Sequence, residues 1–207
     1  MGSNSNWNND SNDEELKRLL NARRHTLLRQ HSAPLASKLP EVIRQFLTRT
    51  KIPYVVIGGK AAEHHILRQF GNSIKHSNRN LITSTIDYDV IVHPRDFPTF
   101  IDEFHKFATG KVDVGALTHV QQDMGPVTVH LIGVKTKAFV DSYLDVHVYK
   151  SGFVPRAAPD TANGGLRFAN AKWLVDEMQS RPLGNSNFAS KALKRHVRLG
   201  YLKKLTA

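Results

Sequence analysis

Cysteine is absent from the 207 residues of this chain. Disulfide bonds, zinc–thiolate sites and a cysteine nucleophile are therefore excluded. Long apolar runs are absent too, because no stretch approaches the ~18 residues that a membrane-spanning helix needs. The sequence near the N-terminus also lacks the apolar segment that a secretory signal peptide has. These absences predict a cytoplasmic protein with no membrane partner.

Acidic residues are few in this chain. It has 18 Asp and Glu against 29 Lys and Arg, which gives a net charge of +11 and a pI near 10.0. Such an excess of positive charge indicates a polyanionic partner. The imbalance is greatest from Met178 to Ala207, where seven Lys or Arg occur and no Asp or Glu.

Four of these basic residues are spaced so that they lie along one face of a helix. They are Lys191, Lys194, Arg195 and Arg198. We interpret this face as a strip that binds successive phosphates, because no acidic residue of the segment neutralises it. The alternative is a solvated helix face, which is the more common role of a charged run.

Composition and periodicity divide the chain into four parts. Residues 1–12 are rich in Asn and Ser and are predicted to form a disordered tail. Residues 13–50 carry apolar residues at helical spacing and predict N-terminal helices, at 13–30 and 40–50. Residues 51–150 alternate strands with amphipathic helices and predict an α/β core, and residues 151–207 predict a basic helical extension.

Within the core, the sequence pattern predicts individual strands and helices. Strands are predicted at 54–57, 87–92, 112–120, 126–134 and 139–149. Helices are predicted at 61–70 and 96–107, and 71–84 is predicted to be a polar loop.

Two of these strands carry carboxylates where a metal ion can bind. Residues i and i+2 of a strand project from the same face, so Asp87 and Asp89 point together. Adjacent carboxylates repel each other unless a cation neutralises them, and Mg²⁺ prefers such oxygen ligands. Asp145 lies in an apolar strand, where the alternation puts its side chain opposite Leu144 and Val146. It can therefore complete the site.

Asp141 is the alternative to Asp145, because their even spacing puts both on one strand face. We favour Asp145, since apolar residues flank it on both sides, whereas Asp141 marks the beginning of the strand. His147 shares the face of Asp145. It is predicted to form a hydrogen bond or pack beside the site rather than to catalyse.

Gly58-Gly59-Lys60 ends the first strand of the core. Glycine lets the backbone approach a phosphate and present N–H groups to it. The helix that follows would turn its positive N-terminal end toward the same anion. Gly58, Gly59 and Lys60 are therefore predicted to bind the phosphates of a nucleotide.

The order of these motifs resembles a known family. A Gly-Gly strand end, an Asp-x-Asp strand and a later single Asp are similar to the nucleotidyltransferase superfamily typified by DNA polymerase β and the poly(A) polymerases. Gly58 to Ala62 and Ser84 to Val90 are most similar to the poly(A) polymerase catalytic subunits of large DNA viruses. The resemblance covers Tyr54 to Tyr149 and, more weakly, the helical tail. Lys60 stands where the family commonly has serine.

The resemblance implies a fold and roles for the site residues. The fold would be a small mixed or antiparallel sheet flanked by helices, with helical extensions at both ends. Asp87 and Asp89 would bind two Mg²⁺ or Mn²⁺ ions, and Asp145 would bind the catalytic ion and help to activate the attacking hydroxyl. Gly58 and Gly59 would hold the triphosphate of an NTP.

The implied reaction is the addition of AMP from ATP to the 3′ end of RNA, with the strip Lys191, Lys194, Arg195 and Arg198 as the RNA-binding surface. Because 207 residues leave little room for further RNA-binding domains, a homodimer, a partner subunit or the rest of a longer chain could supply them. A viral source would place the protein in the host cytoplasm or the virion. Two alternatives remain: a minimal nucleotidyltransferase that modifies tRNA or a protein, and a non-catalytic basic RNA-binding or virion protein.

Overall fold

The computed structural model describes residues 33–135, 140–160, 164–180 and 189–206. The disordered tail predicted at 1–12 and the helix predicted at 13–30 lie outside these residues. The chain divides into two compact units, residues 1–37 and residues 38–207. In the first unit the structure describes only the backbone of 33–37, which begins a helix. The second unit contains the whole described sheet.

Seven strands form one mixed sheet in the described residues. They are β1 Tyr54–Ile57, β2 Tyr88–Val92, β3 Leu117–Asp123, β4 Val127–Lys135, β5 Val140–Tyr149, β6 Ala157–Asp160 and β7 Leu166–Ala169. Their order across the sheet is β3-β4-β5-β2-β1-β7-β6. β5 is parallel to β2 and β7 is parallel to β1, whereas the other neighbouring pairs are antiparallel.

Six α-helices accompany the sheet in the described part of the chain. They are α1 Ala33–Arg49, α2 Gly58–Phe70, α3 His76–Thr83, α4 Phe97–Ala108, α5 Ala171–Ser180 and α6 Ala189–Thr206. Short 3₁₀ turns occur at Gly71–Ser73 and Val114–Ala116. The mixed sheet flanked by helices confirms the predicted α/β class.

Aromatic residues join α1, α4 and the sheet into one core. The rings of Phe46 in α1 and Phe100 in α4 lie 5.1 Å apart at 71°, and Tyr54 of β1 lies 6.4 Å from Phe100. The Tyr54 hydroxyl donates a hydrogen bond to the carbonyl of Leu47. Burial of each such side chain contributes about 1.5–3 kcal/mol. Because strand residues alternate between faces, Asp89 projects to the side opposite Tyr88 and the other even-numbered residues of β2.

The prediction of a polar loop at 71–84 is wrong, because this stretch contains a 3₁₀ turn and α3. Ile82 is the one residue of α3 that is fully buried. A helix with a single buried apolar residue has no apolar periodicity that sequence analysis can detect.

The C-terminal part also differs from the prediction, which foresaw only helices after residue 150. Residues 157–169 add β6 and β7 to the sheet, and β7 joins β1 where Phe168 pairs with Val56. α2 begins at Gly58 rather than at residue 61, and α1 begins at Ala33 rather than at residue 40. None of the described helices has the length and apolar character needed to cross a membrane.

Candidate metal centre and nucleotide cleft

Asp87, Asp89 and Asp145 meet at one place on the sheet. β2 and β5 are parallel neighbours, and their register puts Asp89 directly beside Asp145. Asp87 immediately precedes β2, two residues before Asp89. One carboxylate oxygen from each of the three lies within 4.8 Å of the others, and no other such group occurs among the described residues. The structure therefore brings together the three carboxylates that strand alternation singled out.

Burial and mutual repulsion disfavour the ionised form of this cluster. The partly buried position of Asp145 raises the pKa of its carboxyl group to about 6, and the neighbouring charges of Asp89 and Asp87 add to the rise. Ser142 donates a hydrogen bond to Asp145, and this bond and His147 lower the pKa in part. A carboxylate group in this state gains from a cation that neutralises it.

The donor set fits a divalent metal. Three carboxylates on rigid, adjacent strands offer only hard oxygen atoms, which Mg²⁺ and Mn²⁺ prefer over nitrogen or sulfur. All three side chains are partly buried, so the ligands remain accessible to an ion and to a substrate. The residues can therefore bind divalent metal at this point of the sheet.

His147 lies beside the carboxylates, as its strand position predicted. Its Nε2 is 3.5 Å from Oδ1 of Asp89, and the residue is buried. Neither ring nitrogen has a hydrogen-bond partner among the described residues. A small rotation of either side chain would give a hydrogen bond from His147 to Asp89, which suits a residue that orients a metal ligand.

Asp141 lies apart from the three carboxylates. It is exposed and accepts a hydrogen bond from the hydroxyl of Tyr143 at 3.2 Å. The pairing of β4 with β5 shifts register between Ile132 and Gly133, so β5 has one extra residue between Asp141 and Asp145. The even spacing in the sequence therefore does not put both residues on one face.

Gly58 and Gly59 form the first turn of α2. Gly58 has φ +62°, and a Cβ atom there would collide with Asp89. A Cβ atom at Gly59 would lie 2.8 Å from Nη1 of Arg198 and 2.8 Å from Cγ2 of Thr85. No side chain caps this helix, so its first N–H groups can bind an anion. The glycines thus let the positive end of α2 approach the carboxylates closely.

A cleft of about 390 Å³ opens between these elements. Acidic and basic side chains both line it, together with Gly59 from the first turn of α2. The lining residues are Gly59, Ser84, Thr85, Asp87, Asp89, Glu177, Met178, Lys194, Arg195 and Arg198. A site with carboxylates facing cations can hold a metal ion together with the polyanion that the metal binds.

The basic residues of α6 differ in exposure. The sequence had predicted that they form one strip along the helix. Arg198 is buried, and its guanidinium donates hydrogen bonds to the carbonyl of Ile82 at 2.8 Å and to the hydroxyl of Thr85. Burial lowers the pKa of Arg198, whereas Glu63, Asp87 and Asp89 oppose this change. Lys194 and Arg195 are partly buried and line the same cleft. The side chain of Lys191 lies outside the described residues.

Lys60 is not among the residues that line this cleft. Its ammonium group is 3.3 Å from Glu63 and lies 5.8 Å from the centre of the Tyr88 ring. It faces a second cavity of about 650 Å³, which is also lined by Arg44, His64 and Phe168. The predicted role of Lys60 in phosphate binding therefore lacks support from its position.

Sequence analysis missed Ser142 and Thr85 as neighbours of the site. Ser142 contacts Asp145 because the irregularity of β5 lies between them. Thr85 accepts the hydrogen bond of Arg198 from a helix 113 residues away. Neither contact leaves a periodic signal in the sequence, so neither could have been found from it.

Comparison with protein-family models and with curated proteins finds no match to this chain. Among solved structures, the chain is similar to the crystal structure of the Megavirus polyadenylate synthase, with a TM-score of 0.62 and 14% sequence identity. The alignment covers 83% of this chain and 34% of the viral chain, so this chain spans about a third of the length of that protein. At this identity the likeness concerns the fold alone. The chain has a nucleotidyltransferase-like fold.

Proposed function

We propose that this chain is a metal-dependent nucleotidyltransferase that adds AMP from ATP to the 3′ end of RNA. The observation that carries the proposal is the meeting of Asp87, Asp89 and Asp145 within 4.8 Å, beside the first turn of α2 and the basic residues of α6. The nucleotidyltransferase-like fold supports the same reaction class. The choice of ATP and RNA follows the resemblance to viral poly(A) polymerases.

Asp87, Asp89 and Asp145 would hold two divalent ions, Mg²⁺ or Mn²⁺. When bound, such ions offset the charge on phosphate oxygens and lower the pKa of a coordinated hydroxyl. Ser142 and His147 keep Asp145 and Asp89 in position through the contacts given above. The protein's part is thus to place and neutralise charge, with no covalent intermediate.

The triphosphate binds across the cleft between α2 and α6 in this proposal. The free N–H groups at the start of α2 face the phosphates, because Gly58 and Gly59 carry no side chain that would block them. Lys194 and Arg195 supply positive charge on the wall formed by α6, and Arg198 supplies it beside the first turn of α2. This assigns the basic residues of α6 first to the nucleotide, whereas the sequence pattern alone favoured RNA.

The acceptor approaches from the side of β5. Asp145 belongs to β5 and is the carboxylate that does not line the cleft of α6. The 3′ hydroxyl gives its proton to the carboxylate of Asp145 and its oxygen forms a bond to the α-phosphorus. The bond from that phosphorus to the oxygen that bridges it to the β-phosphorus breaks, and pyrophosphate leaves into the cleft. Because the chain spans about a third of the viral protein, a second copy or a partner subunit would supply further contacts to RNA.

The test is a transfer assay with each of four labelled NTPs, Mg²⁺ or Mn²⁺, and three acceptors: an oligoadenylate, a tRNA pool and the protein itself. A ladder of products on the oligoadenylate with ATP is expected. Addition of a single nucleotide to tRNA or protein would replace RNA tailing with the modification of those acceptors. No transfer by the wild-type chain, together with retained RNA binding, would indicate a non-catalytic binding protein.

Asp141→Asn is the matched control for Asp145→Asn in that assay. Both residues lie in β5, and each substitution removes one carboxylate. Only Asp145 belongs to the carboxylate cluster with Asp87 and Asp89. We expect full activity from the first variant and none from the second. The reverse result would overturn the assignment of the site.

A further inference from the structure

Three aromatic side chains form a cluster where β5 ends and α5 begins. Tyr149 and Phe153 are 5.6 Å apart between ring centres in a T-shaped contact, and Phe153 and Trp173 are 6.5 Å apart with planes 24° from parallel. Phe153 is 44% exposed, whereas the other two rings are partly buried. A large aromatic ring held in place by two others, yet open to solvent, offers a flat face to a ligand.

The cluster lies on the acceptor side of the metal centre. Asp145 and Tyr149 are four residues apart in a regular stretch of β5, so they project from the same face about 13 Å apart along the strand. The helix that carries Trp173, α5, continues to Glu177 and Met178, which line the nucleotide cleft. His147 lies between them on this face and is buried, so an RNA chain bound at Phe153 would reach Asp145 around His147 and not along the strand itself.

The charges around the cluster favour an anionic chain. Among the charged residues within three positions of these aromatics, Lys150, Arg156 and Lys172 are basic and Asp176 alone is acidic. Arg156 and Lys172 are exposed, and Lys150 is paired with Asp123 at 2.9 Å. Flat rings together with exposed cations are the features that bind single-stranded nucleic acid, because bases stack on the rings and phosphates pair with the cations.

We propose that Phe153, with Tyr149 and Trp173, stacks bases of the single-stranded RNA acceptor upstream of its 3′ end. This proposal rests on the proposed function, because it names the surface that delivers the acceptor to Asp145. Arg156 and Lys172 contact the phosphates of the same segment. At about 3.4 Å per stacked nucleotide, the distance from Tyr149 to Asp145 corresponds to about four nucleotides.

The test measures binding of a fluorescein-labelled oligoadenylate 12-mer by anisotropy, without metal or NTP. Phe153→Leu keeps apolar bulk but removes the flat ring, and we expect affinity to fall at least about fivefold at every salt concentration. Phe153→Tyr keeps the ring and should bind like the wild type. Leu193→Ala is the control, since Leu193 is 50% exposed and lies outside the cluster.

Salt separates the cations from the rings. Arg156→Gln with Lys172→Gln should reduce the slope of log affinity against log salt by roughly 0.7 per lost contact, whereas Phe153→Leu should leave the slope unchanged. In a Trp7→Phe background Trp173 is the remaining tryptophan, and its fluorescence should be quenched by the oligonucleotide. Unchanged oligonucleotide affinity in Phe153→Leu would overturn the proposal.

The two proposals fail in different ways. A wild-type chain that binds the oligonucleotide through Phe153 but transfers no nucleotide would overturn the proposed function and uphold the stacking surface. A chain that transfers AMP normally, with the same RNA affinity in Phe153→Leu, would overturn the stacking surface alone. Circular-dichroism melting of each variant shows whether a loss of binding is a loss of folding. If Phe153→Leu does not fold, absence of Trp173 quenching by the oligonucleotide in the Trp7→Phe background would overturn the stacking surface.

Discussion

Asp89 and Asp145 are direct neighbours on the parallel strands β2 and β5, and two carboxylates in such a position destabilise the metal-free fold. Replacing either by Asn should abolish transfer while the melting temperature without metal holds or rises. Added Mg²⁺ or Mn²⁺ should raise the melting temperature of the wild type and leave that of Asp145→Asn nearly unchanged. Thermal melting with and without metal checks this. A large loss of metal-free stability in both variants would show that the carboxylates stabilise the fold instead.

The raised pKa of Asp145 predicts how metal-free stability depends on pH. Its folded pKa of about 6 exceeds the ordinary value of 3.8, so the folded state retains a proton that the unfolded state releases. The contribution of Asp145 to stability therefore falls as pH rises from about 4 to about 6. Above that pH, Asp145→Asn should be more stable than the wild type by about 3 kcal/mol.

Urea unfolding with a chelator, at pH 4.5 and pH 8, measures this difference. Asp141→Asn, which removes an exposed carboxylate from the same strand, serves as the control for the substitution itself. A constant difference between wild type and Asp145→Asn at both pH values would contradict the burial of the charge. For metal binding the direction is opposite, since protonation below pH 6 competes with the ion, and nucleotidyl transfer should fall in acid.

Gly59→Ala should damage the site although it adds a single methyl group. Its Cβ would lie 2.8 Å from Nη1 of Arg198 and 2.8 Å from Cγ2 of Thr85, so one wall of the cleft must move. We expect a loss of about 1–3 kcal/mol in unfolding free energy, together with a higher KM for ATP. Urea unfolding and steady-state kinetics check the two effects.

Gly200→Ala is the matched control, because nothing lies within 4 Å of a Cβ atom at that position of α6. Alanine within a helix should stabilise the protein by about 0.5–1 kcal/mol. If Gly59→Ala behaved like Gly200→Ala, the close approach of α2 to Arg198 and Thr85 would be unnecessary for the site.

Lys194→Gln tests the position of the basic residues of α6. Lys194 lines the nucleotide cleft, so the variant should raise the KM for ATP several-fold, while the affinity for the oligoadenylate stays within a factor of two. Lys203→Gln removes an exposed charge from the last turn of the same helix and should alter neither quantity. A fall in RNA affinity without a change in KM would return this face of α6 to RNA binding.

Strand alternation predicted the three carboxylates because each lies in or beside a strand that is rich in buried apolar residues. The same reasoning found β1, β2 and β5, whose apolar residues mark the core. It missed β6, β7 and α3, since these elements are short and have no extended apolar periodicity, and β6 and β7 are held by pairing with their neighbours. Register shifts such as that at Gly133 also leave no periodic trace, which is why Asp141 resembled Asp145.

The inward orientation of Arg198 in α6 could not be predicted from the sequence, for another reason. Its basic residues have the spacing of an exposed face, and no local pattern shows that Arg198 turns inward to Ile82 and Thr85. Such an inward charge is stable only because distant backbone and hydroxyl groups accept its hydrogen bonds. Only the tertiary structure supplies these partners.

The contacts of Arg198 span 116 residues to Ile82 and 113 residues to Thr85. Links this long cost loop-closure entropy and form late in folding, after the local helices and hairpins. During synthesis the carboxylate strands leave the ribosome well before α6 does. A nascent chain therefore has Asp87, Asp89 and Asp145 before it has the basic residues of α6, and under the proposed function its nucleotide cleft is complete only after α6 has been made.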